Sequence, residues 1–188
     1  MPAHQHVRFS ALGGRLRAPA VTTLMTAALE NPDVLSLAAG FTDTTTLPVQ
    51  EVVRVISELE RTSGPPEYLQ YGTNVGRPGL RAWLAEHTAE PDGLNSGAIT
   101  SAQTIVANGS QQLLQLAAHV LCDPGDIVLA EAPTYFVFLD ILAGLGVRAI
   151  ALRAEQDGGF DFAGIRAQLG ALRSRGEIAR VKAVYLQA

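Results

Sequence analysis

Apolar residues recur along this chain with two different periods, and the change from one to the other divides it. From Pro19 to Leu29 they fall at helical spacing until Asn31-Pro32-Asp33 interrupts the run. Val34 to Ala39 is a short apolar stretch that turns at Gly40. Leu47-Pro48 then opens a second helix, with proline near the first position, where a missing N–H costs least. Val49, Val52, Val53 and Ile56 give that helix one apolar face, and Ser63-Gly64-Pro65-Pro66 ends it. After a polar turn from Tyr71 to Gly76, a third helix carries Leu80, Trp83 and Leu84 and fades at Pro91-Asp92-Gly93. Residues 1 to about 20 show little periodicity and read as a mobile arm.

Beyond this point short β-rich runs alternate with helical ones. Strands are expected at Thr104–Ala107, Ile127–Ala130, Val147–Leu152 and Val181–Leu186. Helices are expected over Gln111–Leu121, after Pro133-Thr134-Tyr135 as far as Gly144, and over Phe162–Leu172. Asp123-Pro124-Gly125-Asp126 and Asp157-Gly158-Gly159 are turns. Alternation of this kind predicts an α/β fold, a mostly parallel sheet with flanking helices and crossover connections. The last run is apolar on both faces, as a buried parallel strand should be.

Composition narrows the partners. The 188 residues are 47% hydrophobic and 17% charged, which is globular. A net charge of −4 leaves no basic footprint for nucleic acid. No uncharged run reaches the ~18 residues of a bilayer span, and no signal-peptide pattern opens the chain, so a soluble, cytoplasmic protein is expected. Cys122 is the single cysteine and ends an apolar helix, where an inert, packed thiol is expected. His4 and His6 have no third ligand nearby, so no metal site is expected. Lys182 is the only lysine.

In parallel α/β sheets, ligands sit where strands end and helices begin. Two such junctions carry chemistry here. In Val106-Ala107-Asn108-Gly109-Ser110-Gln111-Gln112, a glycine allows close backbone approach, a hydroxyl adds a donor, and the free N–H groups of the next helix favour an anion. Taken alone, the same Gly-Ser pair is more often only an N-cap. It is neither a Walker loop nor the three-glycine dinucleotide turn. In Glu131-Ala132-Pro133-Thr134-Tyr135 the aromatic ring, expected at the same edge of the sheet, can offer a flat face to a ring-shaped ligand or simply pack in the core. Together they suit a phosphorylated aromatic ligand better than a nucleotide.

These motifs, in this order, resemble the opening of the large domain in fold-type I aminotransferases of class I/II, on the branch that includes aminoadipate and kynurenine aminotransferases. Upstream, Leu69-Gln70-Tyr71-Gly72 with Gly76 and Leu80-Arg81, and Ser36-Leu37-Ala38-Ala39-Gly40, match further segments of that branch. The resemblance runs from about residue 34 to the end. It implies pyridoxal 5'-phosphate as cofactor, with amino acids and 2-oxo acids as substrates, and a homodimer with shared active sites. It implies that Gly109, Ser110 and Gln111 hold the cofactor phosphate through backbone amides and side chains, and that Tyr135 stacks on the pyridine ring. Tyr71 would reach the phosphate of the neighbouring subunit, and Gly40 would lie beside the substrate carboxylate. The domains it implies are an N-terminal arm and helix at 1–33, a small-domain and dimer-contact segment at 34–95, and the first part of the cofactor-binding domain at 96–188. Arg77 and Arg81 read as solvated or structural helix arginines rather than carboxylate clamps.

Pyridoxal-phosphate chemistry needs a lysine that carries the cofactor and moves the substrate proton. In the family that lysine, the acidic partner of the pyridine nitrogen and the carboxylate-binding arginine come later than Ala188. Lys182 sits just before the last strand, away from the cofactor edge, and reads as a solvated strand-entry residue. No catalytic residue is therefore assigned within this chain, and a fragment of a longer protein is expected, inactive by itself. Two other readings stay open on the same scaffold: the effector-binding, non-catalytic domain of a transcription regulator, and a pyridoxal-phosphate lyase.

Overall fold

The computed structural model describes residues 8–16, 20–31, 33–35, 37, 42–62, 67–89, 91, 93–95, 97–153, 155 and 159–187. The chain divides into two compact units, residues 1–23 with 108–188, and residues 24–107.

In the first unit a three-stranded parallel sheet has the order β2-β1-β3, with β1 at Ile127–Ala132, β2 at Arg148–Arg153 and β3 at Val181–Tyr185. Side chains alternate between the faces of a strand. Val128 accordingly joins Ala118, Phe138, Leu142 and Val147 on one side of the sheet, and Ile127 and Leu129 join Leu152 and Leu172 on the other. Helices α5 (Gly109–Leu121) and α6 (Phe136–Leu145) supply the first cluster, and α7 (Phe162–Ser174) supplies the second. A strand covered on both faces has no use for polar alternation, which is why Ile127–Ala130 reads as an unbroken apolar run.

The turns between these elements are fastened by backbone bonds. Asp126 N donates to Asp123 O (3.0 Å), Asp123 N donates back to the Asp126 carboxylate (2.9 Å), and Gly125 N donates to Gly146 O (2.8 Å). Gly125 and Gly146 both have positive φ, 91° and 76°, in the left-handed region that glycine enters without steric cost. Cys122 closes α5. Burial, and then the Asp126 carboxylate, push its thiol up from the ordinary range, which disfavours the nucleophilic thiolate.

Three sequence expectations change here. Within residues 8–16, where little periodicity was expected, Ala11–Arg15 forms a short helix, α1, capped by the Ser10 hydroxyl, which accepts from Gly13 N at 3.1 Å. Arg15 Nε donates to Gly144 O at 2.9 Å, fixing α1 against α6. Thr104–Ala107 is not a strand. Thr104 has extended dihedrals and Val106 N donates to Val75 O (3.0 Å), but β-branched residues make a strand only with a neighbouring ladder. Finally, β3 is only partly covered. Ala183 and Tyr185 pack against the Val128 cluster and Val181 against the Ile127 cluster, across a register irregularity at its start, while Lys182 and Val184 are exposed.

The second unit is helical among the described residues. Helix α2 (Ala20–Glu30) leads into it from residues of the first, followed by α3 (Val49–Thr62) and α4 (Pro78–Ala89). The apolar face expected on α3 is present, but Val49, Val52, Val53 and Ile56 are each more than half exposed. Gly76, at φ 100°, packs so closely that an added Cβ would lie 2.7 Å from Val106 Cβ.

At the entry to β2 and β3, Glu177 accepts from Arg175 Nε (2.8 Å) and Arg148 Nη2 (2.9 Å). These two bonds hold the Glu177 carboxyl below its ordinary value of 4.5. Because the folded state favours the ionised carboxylate, the contribution to stability is full above the unfolded value and fades as pH falls through the folded one. Comparing urea midpoints of the full chain with those of Glu177→Gln, the wild-type advantage should be complete well above the ordinary carboxyl value of 4.5 and shrink steadily as pH falls below it; an advantage that grows on acidification would contradict the ion-pair account. The core makes a separate prediction. Leu142 is fully buried and Val120 is 82% exposed. Leu142→Ala should cost about 3 kcal/mol in the same measurement, against less than about 0.5 kcal/mol for Val120→Ala.

Candidate ligand cradle at the strand ends

Helix α5 begins at Gly109, whose φ of 80° only glycine adopts freely, and Asn108 provides no side-chain cap. Instead Gln112 Oε1 reaches back to accept from Asn108 N at 2.6 Å, closing the turn from within. The first amides of a helix have no partners inside it, so the N–H groups of Gly109, Ser110 and Gln111 are presented at an uncapped helix start. A Cβ built on Gly109 would meet nothing within 4 Å. Open space and the exposed Ser110 hydroxyl thus lie together with these amides at the helix start.

The second junction follows β1. Glu131 and Ala132 complete the strand, the Ala132–Pro133 peptide is cis, and Tyr135 stands at the N-cap of α6. The Tyr135 ring is half-buried, backed by the cluster of Ala118, Val128 and Phe138 and tilted against Phe136 with ring centres 5.5 Å apart. Gln111 Nε2 donates to Tyr135 Oη at 2.7 Å, so the two junctions meet at one edge of the sheet.

Beside them lies a cavity of about 340 Å³ lined by Glu131, Pro133, Thr134 and Gln187. Glu131 Oε2 accepts from Gln187 N at 2.8 Å, tying the end of β1 to the chain after β3. Thr134 Oγ1 is buried with no hydrogen-bond partner. Such an orphaned hydroxyl is costly unless something else satisfies it. Neither Thr134 nor Gln187 carries a local sequence signal for a site, and the approach of Gln187 to Glu131 depends on strand pairing that no local pattern encodes.

The other residues singled out from the sequence lie elsewhere. Tyr71 belongs to the second unit and its ring is fully exposed. Gly40 lies outside the described residues. Arg77 Nη2 donates to Gln70 O (3.4 Å), while Arg81 Nε is buried without a partner. Lys182 lies within β3 rather than before it, with its ammonium 3.8 Å from Asp126. Val181 pairs with Ile127, the first residue of β1, so Lys182 is at the opposite end of the sheet from Tyr135. Among the described residues, no three His, Cys, Asp or Glu side chains gather as a metal site, and no helix is long and apolar enough to cross a membrane.

Comparison with known proteins gives the family and the fold. The family described as aminotransferase class I and II matches residues 32–187. Aromatic-amino-acid aminotransferase 1 of Thermococcus litoralis is 38% identical over 112 residues, 59% of this chain and 26% of that protein. The probable rhizopine catabolism regulatory protein MocR of Rhizobium meliloti is 30% identical over 127 residues, 68% of this chain and 25% of that one. The crystal structure of Pyrococcus horikoshii kynurenine aminotransferase, in complex with PMP, matches with a TM-score of 0.80 and 30% identity over 94% of this chain and 42% of its own. The chain thus spans about a quarter of these two curated relatives and less than half of that solved structure. With the family pattern covering most of its length and a parallel sheet that ends in this pair of junctions, the chain belongs to the class I and II aminotransferases, with the fold-type I architecture.

Proposed function

We propose that the protein to which these residues belong is a pyridoxal-phosphate-dependent aminotransferase that moves an amino group from an amino acid to a 2-oxo acid. The observation that carries this reading is the open, uncapped start of α5 joined through Gln111 to the half-buried ring of Tyr135. One end suits a phosphate and the other an aromatic ring. When bound, pyridoxal phosphate supplies an electron sink for the bonds at the substrate's α-carbon.

This chain's own residues bind and orient. The amides of Gly109, Ser110 and Gln111, with the Ser110 hydroxyl, hold the phosphate, where the positive end of α5 favours its charge. Tyr135 offers its ring face to the pyridine. The second-unit Tyr71, exposed as it is, serves a phosphate site across a homodimer. Gly40 is assigned to the substrate carboxylate side. Residues 96–188 act as the first part of the cofactor domain, with 34–95 as the segment leading into it and 1–33 as arm and helix. Lys182, at the far end of the sheet and beside Asp126, is not the residue that moves the substrate proton.

A second reading has its own support in the likeness to the regulatory protein MocR. In that case the cradle reports a bound ligand to a DNA-binding domain without turning substrate over. The full-length protein distinguishes the two when incubated with pyridoxal phosphate, an amino donor and a 2-oxo acid, with the new amino acid followed by chromatography. Product formation is expected. Retained cofactor without product, together with ligand-dependent DNA binding, would favour the regulator.

Two variants test the cradle. Tyr135→Ala should raise the dissociation constant for pyridoxal phosphate about ten-fold through lost stacking, read by equilibrium dialysis; unchanged retention would remove the ring from the site. Gly109→Ala meets open space, so its cost is the left-handed backbone alone, on the order of 1–2 kcal/mol of local strain at the phosphate turn. Weaker binding of pyridoxal phosphate with little change in that of phosphate-free pyridoxal is the expected signature.

A further inference from the structure

We infer that the side chain of Gln111 is a positioning residue for the Tyr135 ring and not a phosphate ligand, so that the ring is held by a single hydrogen bond from the phosphate turn. The inference rests on the cofactor reading above and divides the work of one residue between its backbone and its side chain.

The argument begins with what fixes an aromatic plate. Tyr135 is attached at the N-cap of α6, with its ring backed by the core and flanked by Phe136 on one side. Those contacts back the ring from the core, and a swing about the Cα–Cβ bond is the motion that would turn its plane. A stacking plate works only when its plane is set parallel to the ligand ring, so the swing must be stopped. The hydroxyl is the far end of that lever, and there Gln111 Nε2 stands 2.7 Å from Oη, from a residue 24 positions earlier in the chain. A bond at the tip restrains the ring better than the same bond near its root.

The neighbouring glutamine supports the assignment. Gln112 Oε1 is committed to Asn108 N at 2.6 Å. The consecutive pair therefore has two structural duties: Gln112 closes the phosphate turn, and Gln111 ties that turn to the plate. This leaves the main-chain amides and the exposed Ser110 hydroxyl as the donors for an anion.

The test uses the full-length protein and two probes, pyridoxal phosphate and phosphate-free pyridoxal, in a cycle of Gln111→Ala, Tyr135→Phe and the double variant. Gln111→Ala should weaken both probes by the same factor, about five-fold for one neutral hydrogen bond, and should add nothing in the Tyr135→Phe background. Ser110→Ala, the control, should weaken only pyridoxal phosphate. A loss from Gln111→Ala confined to pyridoxal phosphate, or additive with Tyr135→Phe, would make the side chain a phosphate ligand and overturn the inference. A readout without cofactor separates this from failure of the functional reading. The side-chain amide resonances of Gln111 in the cofactor-free protein should move on Tyr135→Phe, and unmoved resonances would refute the clamp. If they move while neither probe binds wild type, the bond exists, and both the cofactor reading and the ring-positioning role fall.

Discussion

A strand with no solvent-facing side governs the rest of this architecture. Ile127, Val128, Leu129 and Ala130 are all buried, two toward α7 and the others toward α5 and α6, with a parallel neighbour on each edge. Burying the backbone of such a strand is tolerable only when its amides and carbonyls are paired, and the ladders to β2 and β3 pair them. Once β1 is fixed in this way, the place where it ends is fixed too. Glu131, Pro133, Thr134 and Tyr135 emerge from the packed layer at a defined height, beside the start of α5. The position of the cradle is therefore inherited from hydrophobic packing rather than from any attraction among its own polar groups.

The signals that were legible in the sequence were those written in local chemistry. Helices α3 to α7 and the three strands follow from apolar period and from turn residues such as Asp123, Pro124 and Gly125, and their limits agree within a few residues. The Asn108–Gln112 and Glu131–Tyr135 junctions could be picked out because glycine, hydroxyl and aromatic types at helix starts have few other physical uses in combination. What escaped was set by distant partners. Thr104–Ala107 has strand-forming residues but no ladder, and no count of β-branched side chains reveals a missing neighbour. Ala11–Arg15, with two glycines in five residues, has poor helix propensity and exists as α1 through its Ser10 cap and its seat on α6. The bonds from Gln111 to Tyr135 and from Gln187 to Glu131 join residues 24 and 56 apart, and only the folded sheet brings them within reach.

Family membership and local geometry carry different parts of the functional picture. Fold-type I architecture describes where a ligand sits, since the ends of parallel strands are where such sheets open. It does not decide chemistry, because the same scaffold hosts enzymes and regulatory domains. The names of the relatives, an aromatic-amino-acid aminotransferase and a regulatory protein, show this spread directly. The uncapped helix start, the orphaned Thr134 hydroxyl and the anchored ring are narrower facts. Under the proposed function, these groups would receive a ligand with a charged end and a flat end rather than a purely apolar one.

The contact between Arg15 and Gly144 spans 129 positions in the chain. The unit that contains it is built from residues 1–23 and 108–188, with the other unit's residues lying between them in sequence. On the ribosome, α1 is made early but has nothing to rest on until α6 has been synthesised, and a contact that must close so long a loop forms late. The seat of α1 is thus supplied by residues made more than a hundred positions after it, and the bond from Arg15 ties the two separated stretches of one unit together.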